Sequence, residues 1–200
     1  MFQSTTTLFL VRHGQSESNA RGCFAGRMDV GLTDQGRADV HQLATNLTRF
    51  KPSHLYTSPL KRAQQTAAII SEVNCLDTQT ESLLIEQDYG DWDGHPIKQV
   101  SQTPDFQNWL HGDSLVAPPN GETLNQVAHR ASEFLERLRL RHSPDDCVIL
   151  VAHGGILGVM LCQLLNTPLA NRWPYRLQTA TYARVELSPE RAALTHLSCR

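Results

Sequence analysis

The chain is poor in lysine, has no paired-cysteine motif and has no apolar run long enough to cross a bilayer. Each shortage removes a class of protein. Only Lys51, Lys61 and Lys98 are lysines, and the formal net charge is −2. The global balance therefore offers nothing to nucleic acid or to an anionic membrane surface, and neither is expected as a partner. Any anion site must be local, built from the 15 arginines, whose planar fork suits bidentate contact with carboxylate or phosphate. The five cysteines, Cys23, Cys75, Cys147, Cys162 and Cys199, are odd in number and scattered, which argues against a disulfide framework or a zinc knuckle. A cytoplasmic setting is the expectation. Met1 to Thr7 lacks the basic start of a signal peptide, Arg12 interrupts the apolar stretch after it, and Gly154 to Leu165 is too short for a span. Neither anchor nor secretion is expected.

Several phosphate chemistries are missing as well. The sequence has no G-x-x-x-x-G-K-[ST] loop, no Cys followed six positions later by Arg, and no G-x-S-x-G elbow. None of the nine histidines falls in H-E-x-x-H or a comparable local spacing, so no metal and no cofactor are expected. Asp91-Trp92-Asp93 follows no apolar strand and reads as a turn.

What is present is the composition of one ordinary globular domain over residues 1–200, with 40% hydrophobic and 19% charged residues. Leu8-Phe9-Leu10-Val11 and Cys147 to Ala152 are continuous apolar runs, the pattern of strands covered on both faces. With Ser53 to Thr57 as a third strand and helical patterns between them, the rhythm is that of an α/β domain with a mostly parallel sheet. Thr33 or Asp34 is placed to cap a helix carrying Leu43, Leu47 and Phe50. Ser58-Pro59 reads as the cap and first position of another, running to about Val73. From Glu122 a longer helix carries Leu124, Val127, Ala128, Ala131, Leu135 and Leu138 on one stripe. Residues 90–121, with Pro96, Pro104, Pro118 and Pro119, break periodicity and read as an excursion over a site. Tyr182 to Leu187 and Ala193 to Ser198 alternate like an antiparallel edge.

The most informative feature is positional. One buried strand runs into Arg12-His13-Gly14 and the other into His153-Gly154-Gly155, and ligands of open α/β sheets sit beyond the carboxyl ends of the strands. Arg62, one helical turn past the strand ending at Thr57, can reach the same edge. Two Arg, two His, glycine-flanked amides and Asn19 make a site for a dianion, with phosphate the obvious candidate.

Leu10-Val11-Arg12-His13-Gly14-Gln15-Ser16-Glu17-Ser18-Asn19 resembles the signature of the histidine phosphatase (phosphoglycerate mutase-like) superfamily. The resemblance extends, in order, through Gly31 to Gly36, Ser58 to Ala67, Glu86 with Tyr89 to Trp92, Asn120-Gly121-Glu122 and Val151 to Gly155. It implies a three-layer sandwich whose mostly parallel sheet is flanked by helices. It further implies that His13 is the nucleophile, that Arg12 and Arg62 hold phosphoryl oxygens, that His153 stabilises equatorial charge and that Glu86 protonates the leaving oxygen. Asn19, Gly26 and the amide of Gly154 fall where the family contacts phosphate or lines its approach. Gln15-Ser16 departs from the Glu-Thr often found after the motif's glycine, and the role of His95 is left open.

The chemistry agrees with that assignment. Phosphoryl transfer has a loose, charge-spread transition state, so positioning and fixed positive charge contribute most. Tyr89 to Trp92, Pro119 to Glu122 and Arg172-Trp173-Pro174-Tyr175-Arg176 resemble the alpha-ribazole phosphatase branch, which implies a phosphomonoester such as alpha-ribazole 5'-phosphate or adenosylcobalamin 5'-phosphate as the small-molecule partner. Trp92, Phe106 and Trp109 offer flat surfaces for a nucleoside-like base, or simply anchor the excursion. A phosphoglycerate mutase is disfavoured because Lys98 is the only Lys or Arg between His95 and Gly121. A broad-specificity phosphomonoesterase, a phosphoryl-ligand binding module and a homodimer all stay open.

Overall fold

The computed structural model describes residues 5–111, 114–188 and 190–200. The first four residues of the segment read for targeting, and residues 112 and 113 of the excursion, lie outside them. The order of the main elements is β1 (Thr6–Arg12), α1 (Glu17–Arg21), α2 (Asp34–Leu47), β2 (His54–Thr57), α3 (Lys61–Asn74) and β3 (Thr78–Thr80). There follow α4 (Ile97–Val100), α5 (Pro104–His111), α6 (Leu124–Arg141), β4 (Cys147–Ala152), α7 (Gly154–Leu164), β5 (Tyr182–Leu187) and β6 (Ala192–Cys199). One sheet has the order β3-β2-β4-β1-β5-β6. β1 runs parallel to β4, and β2 parallel to β4 and β3, whereas β5 pairs antiparallel with β1 and β6.

The apolar run in β1 is explained by its place in the middle of this sheet. Successive side chains of a strand point to opposite faces, so Leu8 and Leu10 enter a core formed with α6 and α7. Phe9 and Val11 enter a second core formed with α2 and α3. All four are fully buried, and each such side chain stabilises the fold by roughly 1.5–3 kcal/mol over exposure to water. The α/β expectation, the sheet's mostly parallel character and its flanking helices are thus observed.

Local signals held where the chain itself supplies the partner. Thr33 caps α2 by accepting from the Gly36 amide, and Thr123 and Gln126 close a reciprocal capping box at α6. The expected Ser58-Pro59 start of α3 is corrected: the helix begins at Lys61 and its N-cap residue, Leu60, offers no side-chain bond. The Lys61 amide instead donates to Asp29 Oδ1 at 2.7 Å. A side chain distant in sequence satisfies this terminus, and the Ser58 hydroxyl, a long 3.4 Å acceptor for the Leu60 amide, is left with its main bond for another task.

The excursion holds α4, α5 and a 3-10 turn at Gly90–Trp92. Trp92, Val100 and Trp109 bury themselves with Phe24 in a satellite cluster, and reciprocal backbone bonds between Phe24 and Gly94–His95 fasten the excursion to the segment after α1. Asp93, read as part of a turn, accepts from the amides of Gly26 and Arg27.

Candidate active site

β1, β2 and β4 all end at one edge of the sheet and deliver His13, Ser58 and His153 there. These are parallel neighbours, so the convergence follows from topology. The His13 and His153 rings lie 5.0 Å apart between centroids, inclined by 58°. His13 Nδ1 is 2.7 Å from the Gly14 carbonyl oxygen. A carbonyl only accepts, so Nδ1 carries the proton and Nε2 keeps its lone pair. Burial, followed by the charges of Arg62 and Arg12, holds the His13 pKa well below the usual 6.5. The ring is therefore a neutral imidazole with a free nitrogen.

His153 is fixed by the same reasoning. Arg62 Nε donates to its Nδ1 at 3.1 Å, so Nε2 bears the proton and donates to Ser58 Oγ at 2.8 Å. This is the main bond of the Ser58 hydroxyl. Burial and then Arg62 keep His153 neutral as well. Arg62 is almost fully buried and gives three more of its five N–H groups to the carbonyls of Met28, Ala25 and Gly26, which leaves one on Nη1. Arg12 differs: Nη1 donates to the Leu177 carbonyl at 2.7 Å, but its buried Nε has no partner among the described residues. A guanidinium left incomplete in this way is ready for an incoming oxygen.

Glu86 follows the 3-10 turn Ser82–Leu84 and is buried. Its oxygens accept from the amides of Gln87 (2.8 Å), Gly155 (2.9 Å) and Ile156 (3.0 Å), the last two at the first turn of α7. A Cβ on Gly155 would stand 2.6 Å from Glu86 Oε1, so glycine is what lets the carboxylate dock on the helix end. Behind it, Arg130 pairs with both oxygens of Glu122 and donates to the carbonyls of Leu83 and Ile85. Gln87 Nε2 meets the Glu122 carbonyl at 2.7 Å. The Asn-Gly-Glu motif thus braces the strand of chain that carries Glu86.

A cavity of roughly 300 Å³ opens over these groups. Arg12, His13, Asn19, Arg62, Glu86 and Gly154 line it. Asn19 Oδ1 accepts from Ser16 N and Oγ in a capping box, which leaves its amide NH₂ as the donor it can offer. Two of the expected residues, Gly26 and His153, do not line it. Gly26 is not among the cavity's lining residues: its carbonyl holds Arg62, and a Cβ there would meet the Gln87 carbonyl oxygen at 2.4 Å. His153 also lies behind the lining, with both ring nitrogens engaged. Trp92 is absent from the wall while Phe106 and Trp109 form part of it, and exposed His95 takes no part.

Tyr89, Arg172, Trp173 and Arg176 also line the cavity and were not singled out as site residues. Arg172 is largely buried, with its guanidinium 4.5 Å from the Trp173 ring centroid and 5.5 Å from that of Trp109.

Residues 8–200 match the histidine phosphatase superfamily (branch 1). The chain is 33% identical over 193 residues to phosphoserine phosphatase 1 of Hydrogenobacter thermophilus, covering 96% of this chain and 91% of that protein. It is 27% identical over 197 residues to the adenosylcobalamin/alpha-ribazole phosphatase of Salmonella typhimurium, covering 96% of each. Among solved structures, mycobacterial glucosyl-3-phosphoglycerate phosphatase complexed with VO3 superposes with a TM-score of 0.88 at 27% identity, over 97% of this chain and 99% of that one. The chain belongs to the histidine phosphatase superfamily, branch 1, and is a phosphoric monoester hydrolase.

Proposed function

We propose that the chain hydrolyses phosphomonoesters through a phosphohistidine on His13 Nε2 and that its substrate carries a flat, apolar, nucleoside-like group, with alpha-ribazole 5'-phosphate as the leading case. The observation that carries the mechanism is the fixed tautomer of His13, whose free nitrogen shares the cavity with the incomplete Arg12 guanidinium and the Glu86 carboxyl group. Nε2 attacks phosphorus in line, the ester P–O bond breaks, and the departing alkoxide takes a proton from Glu86. Water then attacks the phosphohistidine and gives its proton back to Glu86. Inorganic phosphate leaves, and His13 returns to the neutral form. Arg12 and Arg62 offset the charge on the phosphoryl oxygens throughout. His153 orients Arg62 and keeps its guanidinium against the cavity.

Phe106, Trp109 and Trp173 support the substrate reading, since aromatic walls favour a flat leaving group. One observation favours a second reading, a small phosphomonoester bearing a carboxylate. Arg172 Nη2 and Trp109 Nε1 are buried donors without acceptors among the described residues, both on residues of the cavity wall. The test compares kcat/KM for alpha-ribazole 5'-phosphate, phosphoserine and p-nitrophenyl phosphate, and traps the labelled enzyme by rapid quench. A preference for alpha-ribazole 5'-phosphate with an acid-labile phosphoenzyme, absent in His13→Ala, is expected. Preference for phosphoserine selects the second reading, equal rates indicate a broad phosphomonoesterase, and absence of any phosphoenzyme overturns the covalent mechanism.

A further inference from the structure

The far end of the sheet carries an unused group of side chains. His54 opens β2, His142 follows the last residue of α6, and Asp146 immediately precedes β4. One donor atom from each lies within 4.8 Å of the other two. His54 Nε2 is 3.7 Å from Asp146 Oδ1, and His142 Nδ1 is 3.3 Å from Asp146 Oδ2. The two imidazoles stand 4.4 Å apart between centroids. His54 and Asp146 mark the amino ends of parallel strands β2 and β4, whose carboxyl ends build the catalytic centre roughly 15–20 Å away at the rise of an extended chain.

We propose that His54, His142 and Asp146 form a divalent-metal site of the zinc class at the edge of the sheet opposite the catalytic centre. Two imidazoles and one carboxylate are a donor set suited to borderline ions such as Zn²⁺ or Co²⁺. A tetrahedral zinc with bonds near 2.0–2.1 Å spaces its ligand atoms roughly 3.3 Å apart, which three donor atoms already within 4.8 Å of one another reach by a small inward movement. The outer partners fit too. His142 Nε2 lies 2.9 Å from the Tyr56 hydroxyl. When it donates to that oxygen, Nδ1 is left bare toward the centre of the group, the usual arrangement behind a ligating histidine. The Ser143 amide donates to Asp146 Oδ2 at 3.0 Å and fixes the carboxylate. Arg141, the nearest cation in sequence, is held by Glu81 at 3.0 Å. The side chain of His142 is buried while that of His54 is 35% exposed, so an ion has a route in and the coordination sphere keeps open positions for water. Its effect is to clamp the start of β2 to the turn between α6 and β4.

The test strips the full-length protein with EDTA and titrates it with Zn²⁺ by calorimetry and with Co²⁺ by visible absorption, following Tm alongside. The variants are His54→Ala, at a half-exposed position, and Asp146→Asn, which retains an acceptor for the Ser143 amide. The expected result is one ion per chain, weakened at least about tenfold in both variants, with a metal-dependent rise in Tm that both variants lose. Comparison with the variants subtracts binding by the active-site imidazoles and by thiols. Equal affinity in wild type and both variants overturns the proposal, as does the absence of saturable binding. Catalysis provides an independent readout: kcat/KM for an aryl phosphate is expected to be unchanged in His54→Ala.

Discussion

The Glu86 carboxylate lies against the Gly155 amide, with Oε2 accepting its proton at 2.9 Å, and only the missing side chain of Gly155 makes this contact fit. Gly155→Ala is expected to displace Glu86, because the added Cβ would come 2.6 Å from Oε1. A displacement near 1 Å lowers kcat roughly 10²-fold, whereas the overpacking costs about 1–3 kcal/mol of stability. Steady-state kinetics beside a urea melt separate the two effects. Full activity in a folded variant would contradict the placement of Glu86.

Glu86→Gln removes the proton donor and keeps one of the two oxygens that accept from the α7 amides of Gly155 and Ile156. Hydrolysis of alkyl phosphates is expected to fall about 10²–10⁴-fold, and hydrolysis of p-nitrophenyl phosphate far less, because its phenolate leaves without help. Equal losses on both substrates would contradict the acid role.

Glu122→Ala leaves the Arg130 guanidinium without its carboxylate. Both side chains are mostly buried, 12% and 13% exposed for Arg130 and Glu122, and breaking such a pair costs about 3–5 kcal/mol. Chemical denaturation measures the loss. Because Arg130 also holds the carbonyls of Leu83 and Ile85, kcat should fall together with stability.

The acid side of the stability profile follows from His13 and His153, both held well below 6.5 by burial and then by Arg62. Above about pH 6.5 neither state takes up a proton at these rings, and their contribution is fully present. As pH falls below that value the unfolded chain binds protons that the folded chain refuses. Stability then declines by up to ~1.4 kcal/mol per pH unit for each histidine until the folded pKa values are reached. Urea midpoints between pH 8 and pH 5 test this, and His153→Gln should flatten the slope. The same shift in His13 places the acid limb of kcat/KM below pH 6.5.

Cys23 lines the cavity beside Phe24, while Cys147 and Cys162 are buried. Burial pushes the Cys147 thiol up to about 11, which makes it unreactive at neutral pH. Iodoacetamide is expected to block most of the activity through Cys23, substrate to protect against it, and Cys23→Ala to be active and immune. Full activity after alkylation of Cys23 would show that the wall has room to spare.

The sequence carried the strands and the chemistry at their ends. Leu8 to Val11 and Cys147 to Ala152 are legible because full burial on both faces demands unbroken apolar runs, and His13 and His153 are legible because each directly follows such a run. The helix cap at Thr33 is a local contact and was readable for that reason. The sequence determined little about Glu86 beyond its resemblance to a family position, since its partners lie at Gly155 and Ile156. Only the tertiary structure decided which nitrogen of each histidine is free, that Gly26 serves Arg62 through its carbonyl, and that Ser58 turns to His153 while Asp29 serves α3. The same holds for the arginines of the cavity wall and for His54 with His142 and Asp146. Periodicity and motif spacing register contacts within a few turns of chain, whereas these sites consist of side chains that meet only when parallel strands from distant segments are laid side by side.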